Sequence, residues 1–329
     1  RIEMKIKAHL LIVFLSILIL PACQKDIDVF IPDAGLVNGP DSTWHTTITA
    51  SMPVFELKSS LLEPTYTDSI IVNANTATVL TASGLLVTFP PNCCATSVGQ
   101  TVTGKVDVDI QLVNRKGNMI RQNKPSTTYD SLLIAAAHIY IKLKKDGQQL
   151  QLRPNVKINI RYAVPVVNTQ MHFFAGTESS TGNFNWLPNP DTANNKIFFS
   201  TQSYEISTNQ LGWISTAYKY DLNSTPAVQI SADIPYYFTN ANTIAFTVFN
   251  DLRSVAAMHG DFNMRKFVSG KLPVGKNITV VVISKLNNDY YLGYQPATTN
   301  TQTTSVIQQV PVTPIKRSLS EILSYLSSL

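Results

Sequence analysis

The chain carries 329 residues, 44% hydrophobic and 14% charged, with a formal net charge of +5. Arg1, Lys5 and Lys7 against Glu3 all precede Cys23, so without that segment the charge falls to +3, a near-balance that gives no warrant for a nucleic-acid partner. Abundant Thr, Asn, Ser and Val with so few charges fit an exported, β-rich protein better than a cytosolic enzyme, and the length predicts two domains with a linker.

Met4 reads as the start, with residues 1–3 upstream of it. Lys5 and Lys7 form a short basic region, followed by the apolar run LLIVFLSILIL at residues 10–20. That run suits a signal peptide and is far short of the ~20 residues of a membrane span. Leu20-Pro21-Ala22-Cys23 closes the run and resembles the lipobox of bacterial lipoproteins, with Pro21 where a small residue is usual. The resemblance implies that residues 1–22 are removed and that Cys23 is acylated on sulfur as the new first residue. The chain would then be anchored to the outer membrane, periplasmic or at the cell surface. An ordinary signal peptide cut near Ala22 and an uncleaved anchor are the alternatives. Gln24-Lys25-Asp26-Ile27-Asp28 resembles the sorting signals of Bacteroidetes lipoproteins, some of which reach the outer face. Residues 23–67 read as a tether, rich in Pro, Gly, Asp, Ser and Thr over 32–51, or as an irregular arm laid along the first domain with Trp44 and Phe55 buried.

From residue 68 the pattern turns strand-like. Residues 69–73 and 76–81 are β-branched runs, and 84–89 end at Pro90-Pro91-Asn92. Residues 104–112 alternate, with Val106, Val108, Ile110 and Leu112 on one face and Lys105, Asp107, Asp109 and Gln111 on the other. Residues 137–143 and 150–152 flank Lys144-Lys145-Asp146-Gly147, a hairpin signal because Asp-Gly adopts positive φ at low cost. Residues 156–162 alternate again, and 171–175 and 184–187 continue the pattern. The order of Gly84-Leu85-Leu86-Val87-Thr88-Phe89-Pro90-Pro91-Asn92, Gly99, the strand from Gly104, Thr127, Leu132, Gly147 and the strand from Val156 resembles ZU5-type β-sandwich domains of Bacteroidetes surface lipoproteins and ankyrin-type proteins. The likeness covers about residues 68–165, within a first domain taken as 68–210. Cys93-Cys94 departs from the family, whose members carry a small and an aromatic residue there. The likeness implies an interaction or structural module.

A second domain, 211–315, is expected to open at Gln210-Leu211-Gly212-Trp213-Ile214. Residues 228–234 alternate, while 244–249 and 278–283 are dense apolar runs of core-strand length. The Leu272-Pro273-Val274-Gly275-Lys276 turn, the strand after it, the Asn287-Asn288-Asp289 turn and the strand at 290–294 resemble transthyretin-like or carboxypeptidase-regulatory β-sandwiches. Residues 296–304 read as loop. In the C-terminal helix, 316–329, Leu319, Ile322, Leu323 and Leu326 share one face, and Ser318 with Glu321 matches a capping box. So short a helix is marginal alone and must dock on a sandwich or on a partner. The fold class is therefore all-β: two tandem antiparallel β-sandwich domains with a short amphipathic helix at the end.

Few residues point to chemistry. His45, His138, His172 and His259 show no metal-ligand spacing, and no cofactor motif is present. His138 and His172 lie in strand-like runs and read as sheet histidines. His259-Gly260-Asp261 is the best polar cluster, read as a loop before Phe262; it would suit a hydrolase if a nucleophile stood beside it. Asp107 with Asp109, and Asp221 with Asp233, are carboxylate pairs without a calcium-loop pattern. Cys93-Cys94 reads as two small buried side chains, with a vicinal disulfide or a redox pair as alternatives. Clustered aromatics (Tyr236-Tyr237-Phe238, Tyr290-Tyr291, Tyr294, Tyr218, Tyr220) suit a protein or glycan partner, though alternation turns half of them inward. The expected function is a lipid-anchored envelope protein with a non-catalytic binding or structural role. An accessory glycan-binding lipoprotein of a polysaccharide-uptake system is the alternative.

Overall fold

A computed structural model describes residues 42–129, 131–178, 184–222, 226–300 and 307–329. The expectations resting on residues 1–41, lipidation at Cys23 among them, lie outside the described residues. The described chain is mostly β, with three short helices: α1 (Pro53–Leu61), α2 (Lys116–Arg121) and α3 (Leu319–Ser327).

The first unit is a sandwich. One sheet has the spatial order Tyr66–Val72, Gly104–Val113, Leu133–Lys145, Gly212–Lys219, His172–Glu178, Phe184–Pro188. The facing sheet runs Lys196–Phe199, Ser203–Thr208, Ile158–Ala163, Leu86–Phe89, Ala77–Leu80. The alternating residues meet between them: Val106, Val108, Ile110, Ile139 and Ile141 pack against Val87, Phe89, Ile158, Ile160 and Ile206. Asp146 and Gly147 both take positive φ, 51° and 78°, as a two-residue hairpin turn of the primed type demands.

Two expected boundaries move. Gly212–Lys219 pairs with Leu133–Lys145 on one side and His172–Glu178 on the other, so it is an interior strand of the first sandwich. The chain enters the second unit only after Lys219, not at residue 211. The strand hides this because both its faces are covered: Ile214 lies in the sandwich core while Ala217 packs toward the second unit. At the other end, residues 23–67 are not all tether, since Pro53–Leu61 is helix and Tyr66–Val72 already pairs with Gly104–Val113.

The second unit is a single rolled sheet: Leu272–Pro273, Ala227–Asp233, Lys266–Ser269, Val255–Asp261, Thr243–Phe249, Asn277–Leu286, Asp289–Thr298, Ile315–Arg317. Ile307–Pro311 runs parallel to Ala227–Asp233, an exception to the antiparallel rule. The same segment reaches back across the roll, where Gln308 accepts from the Asn300 amide and donates to the Thr298 carbonyl. Val310 and Val312 thereby close a core with Ile230, Phe249 and Val280. Gly293 permits this closure: a Cβ there would stand 2.8 Å from Val312 Cγ1 and 2.9 Å from Pro314 N. The strand at Asp289–Thr298 extends into the segment read as loop.

A third core joins the two units. Leu57 and Leu61 of α1, Met119 and Ile120 of α2, and Ile322 and Leu326 of α3 pack between the outer faces of two sheets, against Leu133 and Trp186 on one side and Phe246 and Ile283 on the other. The C-terminal helix docks on its own chain and starts on the expected capping box, with Glu321 N donating to Ser318 Oγ at 3.3 Å and Ser318 N to Glu321 Oε2 at 2.8 Å. The N-terminal arm is laid on the second unit rather than the first. Trp44 is buried against Phe267, ring centroids 5.2 Å apart, and Asn240 clamps the backbone of His45 through both its N–H and its C=O.

Candidate binding grooves

The His259–Asp261 pair stands at the end of the Val255–Asp261 strand, not on a loop. The two residues alternate with Met258 and Gly260 and so share a sheet face. Asp261 Oδ1 accepts from the Met264 amide at 2.8 Å and closes the following turn. Among the described residues no hydrogen bond links His259 to Asp261 or to a Ser or Thr hydroxyl. His259 is an exposed residue on a groove over the helical layer, where partial desolvation and then the nearby Lys58 ammonium hold its imidazole below the usual range.

His138 is a sheet histidine, as expected. Its Nδ1 lies 2.8 Å from Ser215 Oγ, its ring stacks on Trp186 at 4.4 Å, and its Nε2 is buried without a partner among the described residues. Burial drives its pKa down to about 3, so the ring is neutral. Cys93 and Cys94 are both buried thiols with sulfurs 3.3 Å apart, small side chains in the core of the first sandwich. Asp109 is taken up by Lys144 at 2.7 Å and Thr67 at 3.0 Å, and Asp233 by Lys266 at 3.4 Å. Among the described residues no three His, Cys, Asp or Glu side chains gather as a metal site.

Most of the clustered aromatics serve packing. Tyr236, Tyr237, Phe238 and Tyr291 form a chain of tilted and edge contacts at 4.6–5.4 Å that runs through buried Phe238. Exposed Tyr294 stacks on Tyr325 at 4.7 Å and 14°, which ties α3 to the second sheet.

A groove of about 1150 Å³ lies at the edge of the first sandwich. Its walls are the His172–Glu178 strand, the edge strand Lys196–Phe199 and the chain leaving Gly212–Lys219. Phe173 lies buried in the floor, half-buried Tyr218 and Tyr220 flank it, and exposed Phe198 and Phe199 stand at the rim. Phe199 is braced edge-on against buried Tyr204 at 5.9 Å. The polar groups beside these rings are held by their own hydrogen bonds, with half-buried Asn189 facing the groove and Asn195 buried beneath it. Asn189 Oδ1 accepts from Asp191 N, Asn195 Nδ2 donates to Asp191 O, and Thr208 donates to Asn195 Oδ1 at 2.5 Å. Tyr218, Tyr220 and Asp221 were singled out in the sequence, and the fold brings them to this one wall. Phe198 and Phe199 were missed. Their signal is an apolar pair that breaks alternation, which marks an edge strand exposing both its faces.

A second groove, about 690 Å³, lies over the helical layer and is lined by α1, the 122–125 segment and the ends of Thr243–Phe249 and Val255–Asp261. His45 and His259 both fall on it. Comparison with protein-family models gives no match for the sequence, and comparison with curated proteins likewise gives none.

Proposed function

We propose that the protein is a lipid-anchored component of the cell envelope with a non-catalytic binding role, held at the outer membrane by acyl chains on Cys23. The observation that carries the binding role is the groove on the first sandwich. It joins aromatic faces to a few polar side chains already held in place, such as Asn189, the combination of apolar lining and few placed polar groups that binding sites use. Holding them in place lowers the ordering cost of binding. The anchor rests on the apolar run and Leu20-Pro21-Ala22-Cys23; at ~0.8 kcal/mol per buried methylene, several acyl chains hold a protein essentially permanently. The ZU5-like order of Gly84 to Asn92 and the strands after it supports a module that presents surfaces rather than one that performs chemistry. Cys23→Ser tests the anchor: the variant should leave the membrane fraction for the soluble one, and unchanged retention would refute lipidation.

A second reading, a glycan-binding accessory lipoprotein, is favoured by the same lining, because Tyr and Phe faces beside Asn side chains suit the apolar faces and hydroxyls of sugars. Titration with a panel of soluble oligosaccharides tests it. Binding lost in both Phe198→Ala and Tyr220→Ala supports the reading, and no binding by the parent protein counts against it.

A further inference from the structure

The second groove is a separate site with different chemistry. Lys124 is almost wholly buried in it, with 10% of its side chain exposed. Its ammonium lies 4.1 Å from the centroid of Phe184 and 5.7 Å from that of Trp213, with Glu178 Oε2 at 3.3 Å as its carboxylate partner. An ammonium has three donors, so capacity remains. Lys58, half-buried on the last turn of α1, faces the same space beside Phe55 and makes no ion pair among the described residues. A lysine in that turn suits the helix dipole, but the dipole does not account for where the charge is held. Desolvation and the neighbouring Lys124 both disfavour the charged form of Lys58, and Glu178, more than half exposed, is the carboxylate that opposes them. His259 completes the lining next to Lys58.

Two ammonium groups, both largely withdrawn from solvent, share one partly solvated carboxylate in a groove of mixed lining. Such an arrangement is short of one negative charge. The lining offers apolar side chains, Val54, Phe55, Ile244, Phe246 and Phe262, beside polar ones such as Thr46, Gln122 and Asn240. The volume falls inside the ~300–1,000 Å³ usual for small-molecule sites. We propose that this groove binds a small amphiphilic anion, a carboxylate or sulfonate carried on an apolar or aromatic body, with the acid group between Lys58 and Lys124 and the body against the phenylalanines. The proposal does not depend on the first groove or on the anchor.

Fluorescence titration with 1-anilinonaphthalene-8-sulfonate tests it, with the uncharged N-phenyl-1-naphthylamine as control. The parent protein should bind the sulfonate saturably at one site per chain. Lys58→Met, which keeps the unbranched apolar stem and removes the charge, should weaken the sulfonate tenfold or more and leave the neutral probe within twofold. Glu178→Gln should tighten the sulfonate severalfold by removing the competing carboxylate. Decanoate should displace the sulfonate and decanol should not. The proposal is overturned if no saturable site exists, if Lys58→Met weakens both probes equally or neither, or if Glu178→Gln leaves the sulfonate unchanged. Should Lys58→Met lose its fold by circular dichroism, the exposed Glu178→Gln change decides alone.

Discussion

Gly117 in α2 lies against the backbone of Leu326 in α3 so closely that a Cβ on Gly117 would overlap the Leu326 carbonyl oxygen. Nothing in the φ of Gly117 calls for glycine; the need is for space, and the contact seats the last helix of the chain in the core joining the two units. Gly117→Ala should therefore destabilise the protein by about 3 kcal/mol, the upper range for overpacking. Ile322→Ala, which leaves a void on the same helix, should cost about as much. Urea denaturation measures both. A cost below about 0.5 kcal/mol for either would mean that α3 does not hold the units together.

His138 makes stability depend on pH. Its ring is neutral in the folded protein, with a pKa of about 3, against an ordinary 6.5 in the unfolded chain. Between those values the unfolded chain binds the extra proton. The contribution is therefore fully present above about pH 6.5 and is lost as the pH falls toward 3, by up to ~1.4 kcal/mol per pH unit. Urea midpoints at pH 7.5 and 5 should fall more steeply in the parent protein than in His138→Gln, which can still reach Ser215. Parallel slopes would show that the ring charges without cost.

Trp44 pins the arm to the second unit against Phe267. Trp44→Ala should cost about 3 kcal/mol and open residues 42–52 to proteolysis. Asn240→Ala, which removes both bonds to the His45 backbone, should open the same segment. Limited digestion with the broad-specificity proteinase K, followed by mass spectrometry, reads the cut sites. Cuts confined to other parts of the chain in both variants would contradict the docking.

The paired thiols separate two chemistries. In a Cys23→Ser background, Cys93 and Cys94 should resist a thiol reagent in the folded protein, since both are buried, and react as two free thiols on unfolding. Two thiols missing after unfolding would mean a vicinal disulfide.

Alternation made much of the fold legible. The strands around Val106 to Leu112, Val156 to Tyr162 and Val228 to Ile234 fall where their period of two put them, and Asp146-Gly147 turns as its chemistry requires. The capping box at Ser318 and Glu321 likewise announced α3. What escaped were elements covered on both sides. Gly212–Lys219 has burial on both faces, so it carries no period. α1 is short and lacks a side-chain cap at Met52, and its Leu57 and Leu61 are apolar for a core that forms only once two sheets have met. The grooves were legible in part. Tyr218 and Tyr220 stood out as aromatics, whereas Lys58 and Lys124 are 66 residues apart and each looks like an ordinary solvated lysine until the fold closes around both.

The claim that the first groove is the working surface is tested most directly by a photo-reactive phenylalanine placed at position 198 in intact cells. The account predicts a discrete adduct at 198, absent when Tyr220→Ala is added and absent from a probe at exposed Arg153 away from the groove. No adduct at 198, or the same adduct from both positions, would contradict it.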